Sequence, residues 1–198
     1  MSVRMRGTGD QSSTMRMLMR LSCVLFGCFL IVLPLSAQTL SEYDVEAAYL
    51  YNFGKFVRWP ASTHKQPTFD ICILGRDPFD GTLDRIVAND TIFGKPIHKR
   101  VLSRPTEADG CAIVYIADSE AKNLRGILDV LGDKECLLVS GLPHFAQNGG
   151  TIQFVVDGDR VRFMVNLDVA ARCHLAVSSE LLKVALSVTG KQRKGVRQ

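Results

Sequence analysis

The chain has no CxxC, no HExxH, no G-x-S-x-G and no G-x-G-x-x-G. Those absences exclude a closely spaced redox or metal-binding cysteine pair, a zinc-protease helix, a hydrolase nucleophile elbow and a dinucleotide-binding loop. Gly94-Lys95 is not a phosphate-binding loop, because position 89, five residues before Gly94, is asparagine. No cysteine and histidine spacing resembles a metal site, and no cofactor is implied. Long apolar runs are also missing. The longest, Leu21 to Leu33, has 13 residues, against the roughly 20 that a membrane-spanning helix needs. Charge of one sign is scarce too: 24 Lys and Arg stand against 20 Asp and Glu, a net of +4.

The short apolar run has a specific meaning. Arg16 and Arg20 precede it, Pro34 breaks it, and Leu35-Ser36-Ala37 ends it in small residues. Positive, apolar and small-residue regions in that order are a secretory signal peptide, with cleavage expected after Ala37. Leu25-Phe26-Gly27-Cys28 loosely resembles a lipoprotein box, but Phe26 is bulky there and the apolar run continues past Cys28. Without residues 1–37, which hold four arginines and one aspartate, 20 basic groups face 19 acidic ones. A further four basic groups lie in the expected disordered tail 191–198, so residues 38–190 carry a net of −3. That is no footprint of a nucleic-acid binder. Export also places Cys72, Cys111, Cys136 and Cys173 in an oxidising compartment, where three pairings are open.

The exported part reads as one domain over 38–190. Ser41 to Val57 has apolar residues near helical period, with Ser41 at the N-cap and Asp44 in the first turn. Arg58-Trp59-Pro60 stops that helix. Phe69 to Leu74 is a buried strand, followed by a helix expected from Asp77 to about Val87 with Pro78 in its first turn. Lys95 to Leu102 is a weaker strand. Cys111 to Ile116 is continuously apolar, the pattern of a strand buried on both faces. A helix capped by Asp118-Ser119 runs to Leu131, and Gly132 closes it. Cys136 to Ser140 is another short strand. Thr151 to Val156 and Arg160 to Asn166 flank Asp157-Gly-Asp159 as a hairpin. A last helix spans about 168–188, with a break expected near Cys173 to Val177 and a restart at Ser178-Ser179-Glu180. The expected architecture is a three-layer α/β sandwich: a mostly parallel central sheet, an antiparallel C-terminal hairpin, and flanking helices.

Tyr51, Phe53, Lys55, Arg58 and Trp59 put aromatics and cations in a short span. They are partner-binding candidates, because aromatic side chains often anchor interfaces; the competing and commoner origin is core packing of the first helix. Gly75-Arg76-Asp77-Pro78 follows a strand, but Asp77 would repel phosphate, so a capped structural turn is expected. Cys173-His174 is the nearest thing to a nucleophile and base. Neighbours on a helix point about 100° apart and rarely bond each other, which argues against a hydrolase.

The segment Ala47-Ala-Tyr-Leu-Tyr-Asn-Phe-Gly-Lys-Phe-Val-Arg-Trp-Pro60 resembles the opening helix of the YfiR/HmsC-like periplasmic proteins. The likeness continues through Cys72-Ile-Leu-Gly75, Gly94-Lys-Pro-Ile97, Cys111 to Ile116, Gly149-Gly-Thr-Ile152, Val161 to Asn166 and Ser178 to Lys183, about residues 43–188 in all. The resemblance implies a regulator, not an enzyme. It would bind the periplasmic sensor segment of an inner-membrane diguanylate cyclase and repress cyclic-di-GMP synthesis. An outer-membrane lipoprotein is an implied competitor, and a homodimer is compatible with the family. The resemblance also places cysteines at 72 and 111 and suggests a redox-sensitive pair, against two buried free thiols. Cys136 and Cys173 are then the candidates for a second pair. A small-ligand module accessory to transport or signalling, with its pocket at the carboxyl ends of the parallel strands, is the alternative.

Overall fold

The computed structural model describes residues 41–191. The expected signal peptide and the tail beyond Lys191 lie outside them. Helix α1 (Glu42–Phe56) starts where the sequence has its cap: Ser41 Oγ accepts from Asp44 N at 3.1 Å, and the Asp44 carboxylate accepts from Ser41 N at 3.0 Å. This reciprocal capping box satisfies two otherwise orphaned donors. The chain leaves α1 into a two-residue strand β1 (Val57–Arg58). Trp59 is held extended by Pro60, and a short helix α2 (Ala61–Lys65) follows.

The main sheet is built around β2 (Phe69–Leu74). A short edge strand β3 (Thr91–Ile92) pairs antiparallel with β4 (Lys95–Leu102), and β4 pairs parallel with β2. On the other side of β2 lie, in order, β5 (Cys111–Ile116), β6 (Leu137–Ser140) and β7 (Ile152–Asp157), all parallel. β8 (Arg160–Asn166) turns back antiparallel on β7, closing the expected hairpin. Every residue of β5 and β6 is buried, which is why their sequence is a continuous apolar run. A separate two-stranded sheet joins β1 to β9 (Ala176–Val177). The last strand, β10 (Ser187–Thr189), lies parallel to β8 at the edge.

The sheet divides the apolar interior in two. The larger core holds α1, α3 (Thr82–Val87), α5 (Leu167–Arg172) and α6 (Ser179–Val184) against Ile71, Ile73, Ile113, Tyr115 and Val139. In it, Phe53 sits 5.8 Å from Phe154 and 5.3 Å from Phe163, ring centre to ring centre. The smaller core packs α4 (Leu124–Leu131) against Cys72, Leu74, Val114, Ile116 and Leu138. Helices thus cover both faces of the expected mostly parallel sheet.

One irregularity sets the side-chain parity of β5. Asp70 is paired with Cys111, but Ile71 is paired with Ile113. Ala112 is therefore an extra residue, a bulge. Ala112 and Ile113 both face the larger core, and Cys111 is turned onto the face of Cys72. A strict alternation back from Ile113 would have pointed it away.

Three elements differ from the expectation. The helix expected from Asp77 begins at Thr82, because Asp80 and Gly81 take φ of 45° and 76°, which no helix can pass. Asp77 Oδ1 instead accepts from Phe79 N at 2.9 Å and shapes a turn. The first turns after β5 are a 3-10 stretch, Asp118–Asn123, capped by neither Asp118 nor Ser119 side chains. The final helix restarts at Ser178 as expected but ends at Val184, and Ser187–Thr189 form β10 where helix was expected to about 188. Before the restart, His174, at φ 57°, ends α5. Ala176-Val177 then pair with β1, and Ser178 caps α6 by accepting from Leu181 N at 3.2 Å.

Gly150 adjoins this hairpin with no room for a side chain. An added Cβ would stand 2.1 Å from Cε1 of Phe145, which is fully buried. Gly150→Ala is expected to lose about 1–3 kcal/mol of stability by overpacking, read as a lowered urea midpoint at unchanged slope.

Candidate functional site

A groove of about 510 Å³ lies where the end of α1, β1, β9 and the β3–β4 turn meet. Its floor is Val57 and Trp59, both buried, with Trp59 Nε1 donating to Gly54 O at 2.9 Å. Its rim carries Lys55, Phe56, Arg58, His64 and Phe93 on one side and Ser178-Ser179-Glu180 on the other. Phe56 is 42% exposed and Phe93 52%. The His64 ring meets Phe93 edge-on at 4.9 Å.

Phe93 is there at a conformational cost. It and Gly94 form the two-residue link between β3 and β4, at φ 54° and 73°. Such a turn suits Asn-Gly; a bulky residue at positive φ is strained by about 1–2 kcal/mol. A strained, half-exposed aromatic is a reason to look for function at that place. Sequence reading passed over Phe93. The available signal was Ile92-Phe-Gly-Lys95, an X-Gly turn with an aromatic where asparagine is the usual choice.

Of the five sequence candidates, Phe53 and Trp59 are core residues, fully buried and 4% exposed. The Phe53 ring is enclosed in the larger core, and the Trp59 ring lies in the floor of the groove. Tyr51 is half-buried; its hydroxyl bonds Asp90, and Lys55 Nζ lies 4.0 Å above its ring. The hydrogen bond from Tyr51 lowers the Asp90 carboxyl, and Lys55 is raised by its bond to the same hydroxyl. Lys55 and Arg58 remain exposed beside the groove.

Cys72 and Cys111 form a disulfide across adjacent strands, with Cα atoms 6.0 Å apart. The second candidate pair is not joined: Cys136 and Cys173 are free, buried thiols, one in the smaller core and one in the larger. Burial pushes the Cys136 thiol up to about 12 and also raises Cys173. Cys173 Sγ faces Gly132 O, while His174 turns its ring outward to Glu135 at 2.9 Å. The adjacent cysteine and histidine therefore do not act on each other. Among the described residues, no group of three or more His, Cys, Asp or Glu is placed to hold a metal ion.

The carboxyl ends of β2 and β5, where a small-ligand module would carry its pocket, are filled from α1. Glu46, 7% exposed, accepts from Tyr115 OH at 2.9 Å. Phe79 packs 4.8 Å from Tyr115 and 6.2 Å from Tyr43, whose hydroxyl donates to Asp118 at 3.3 Å. Burial pushes the Glu46 carboxyl up to about 7 despite the Tyr115 bond, and Asp118 and Glu42 push it the same way. The Tyr115 hydroxyl is raised as well, by burial and by Glu46.

A raised carboxyl keeps its proton in the folded state after the unfolded chain has lost it. Stability contributed at Glu46 is thus present at acid pH and falls as pH rises from about 4.5 to about 7. The loss is of order 3 kcal/mol. Urea midpoints measured from pH 5 to 8 should fall, and Glu46→Gln should flatten that dependence. An unchanged slope in the variant would contradict the assignment.

Among solved structures, the chain is similar to the crystal structure of a conserved domain protein from Vibrio cholerae O1 biovar eltor. That match has a TM-score of 0.52 at 8% identity, over 74% of this chain and 60% of that one. A weaker likeness is to the ABC domain in complex with L-Trp from Streptococcus pneumonia, with a TM-score of 0.45 at 11% identity, over 61% and 55%. The chain thus spans less than two thirds of either structure, and at such identity the first shows a shared fold alone. The sequence match is more specific, since the model of the YfiR/HmsC-like family aligns with residues 43–186. This covers all but a few of the residues that build the sheet and its helices, and the chain belongs to the YfiR/HmsC-like family.

Proposed function

We propose that this protein is an exported repressor that binds the periplasmic segment of an inner-membrane diguanylate cyclase through the groove at the end of α1. Binding holds cyclic-di-GMP synthesis down. The observation that carries this reading is the family match over residues 43–186, which supports a periplasmic regulator of diguanylate cyclase. The apolar run and small residues before position 38 support export. The strained turn at Phe93 supports the choice of surface.

Phe56 and Phe93 supply apolar anchors, the kind of side chain that dominates interface energetics. Lys55 and Arg58 beside them favour an acidic or mixed partner face and set approach and register more than affinity. Repression requires preference, not tightness alone. To shift a sensor from 1:99 to 99:1, the repressor must bind the quiet state about 10⁴-fold better than the active one. An outer-membrane lipoprotein that covered the same groove would release the cyclase by competition. The Cys72–Cys111 disulfide stiffens the scaffold and makes competence redox-dependent.

Deletion of the gene is expected to raise cellular cyclic-di-GMP, and the wild-type gene to restore it. Complementation with Phe93→Asn should fail. The variant removes the anchor while relieving the turn, so the purified protein should be as stable as wild type or more stable by up to about 1 kcal/mol. Unchanged nucleotide after deletion would overturn the repressor reading. Full complementation by the variant would move the interface elsewhere.

A further inference from the structure

The two sulfurs of the disulfide sit in unlike surroundings. Cys72 is fully buried in the smaller core, in a cluster with Leu74, Val114 and Leu138. Cys111, 5% exposed, is at the wall of an open depression of about 230 Å³ that Gln66, Asp109, Lys134, Glu135 and Cys136 also line. Arg100 Nη1 lies 3.7 Å from Cys111 Sγ. The guanidinium is fixed there by three further partners: Glu107 O at 3.1 Å, Asp109 O at 3.3 Å and the Asp70 carboxylate at 3.2 Å. Lys134 stands across the depression, paired with Asp109.

We propose that this disulfide is a thiol-exchange site with one entrance: an external thiol attacks Cys111 Sγ, and Cys111 alone carries the resulting mixed disulfide. In the step, a thiolate forms a bond to Cys111 Sγ while the Cys111–Cys72 bond breaks. The electron pair leaves on Cys72, which takes the proton that the incoming thiol gave up. Low-molecular-weight thiols and dithiol oxidoreductases are the reactant class. The reverse attack by Cys72 expels the thiol and restores the native bond.

Access and charge select the sulfur. Cys111 borders an open depression whose lining includes Lys134 beside Asp109 and Glu135, and Arg100 lies next to its sulfur, whereas Cys72 has no exposed surface. The charge of an incoming thiolate spreads over three sulfurs during exchange. Attack on Cys72 would carry that anion into an apolar core. The same burial makes Cys72 a poor leaving group, since apolar surroundings raise a thiol's pKa and slow its departure. The bond is therefore slow to open with small thiols, and the opened form is marked at a single position. Cys136 shares the depression but stays protonated, with its thiol pushed up to about 12. It does not compete as an internal nucleophile. This inference needs no assumption about the cyclase, and its failure would leave that reading standing.

The test uses the native oxidised protein with reduced glutathione at pH 8. The reaction is stopped with acid, free thiols are blocked with N-ethylmaleimide after unfolding, and peptides are mapped by mass spectrometry. The expected result is glutathione on the Cys111 peptide with maleimide on the Cys72 peptide. Glutathione on Cys72, an even split, a Cys111–Cys136 crosslink, or no adduct would each overturn the proposal. Arg100→Gln should slow adduct formation by roughly three- to tenfold at low ionic strength, as loss of a neighbouring cation does for thiolate chemistry. An unchanged rate would contradict the part assigned to Arg100. The wild-type mapping decides the attacked sulfur even if that variant does not fold.

Discussion

The register of β5 on β2 is the constraint from which the rest of the structure follows. β2 lies between β4 and β5, with both faces buried along most of its length. A slip of one residue in β5 would exchange its two faces. Tyr115 would leave Glu46, and Cys111 would leave Cys72. The bulge at Ala112 reconciles two requirements of opposite parity. The carboxyl end of β5 must send Tyr115 up to α1, and its amino end must send Cys111 down to the other core. Once made, the disulfide locks that register covalently. It does so in the smaller core, where one helix and fewer side chains cover the sheet.

The same register organises the opposite end of the molecule. Tyr115, Phe79 and Glu46 pack together at the carboxyl ends of the strands, where nucleotide-binding sheets carry their anion-binding crevice. An open groove lies where α1 ends. There, the buried Phe53 and Trp59 act as a foundation, and what they support is exposed: Lys55, Phe56, Arg58 and, from the β3–β4 turn, Phe93. A rigid apolar base under a ring of half-exposed aromatics and cations suits recognition of another protein better than chemistry.

Much of the fold was legible because its signals are local. Ser41 and Asp44 announce the start of α1, and the unbroken apolar runs of β5 and β6 announce strands buried on both faces. In the hairpin, β8 alternates as a half-buried strand should. The misses came where tertiary pairing overrides propensity. The break before Ser178 is expected, but not that Ala176-Val177 fill it by pairing with β1, nor that Ser187–Thr189 leave the helix to pair with β8. Positive φ at Asp80 and Gly81 postpones α3, and nothing in Asp77-Pro78 foretells it. The candidate site was half legible for a related reason. An aromatic-rich segment does not say which rings face inward, and only the structure separates Phe53 and Trp59 from Phe56. Phe93 is 34 positions from Trp59 in the chain and meets the groove only through folding. Cys136 and Cys173 made a reasonable pair by elimination, but spacing cannot reveal that they belong to different cores.

The most direct measurement of the central claim is photo-crosslinking in living cells from a benzoylphenylalanine placed at position 93. Position 156, an exposed valine on β7, serves as the control. The account predicts an adduct from position 93 that contains a membrane diguanylate cyclase, joined through its periplasmic segment, and none from position 156. A cyclase adduct from position 156 alone, or no cyclase in any adduct, would contradict it.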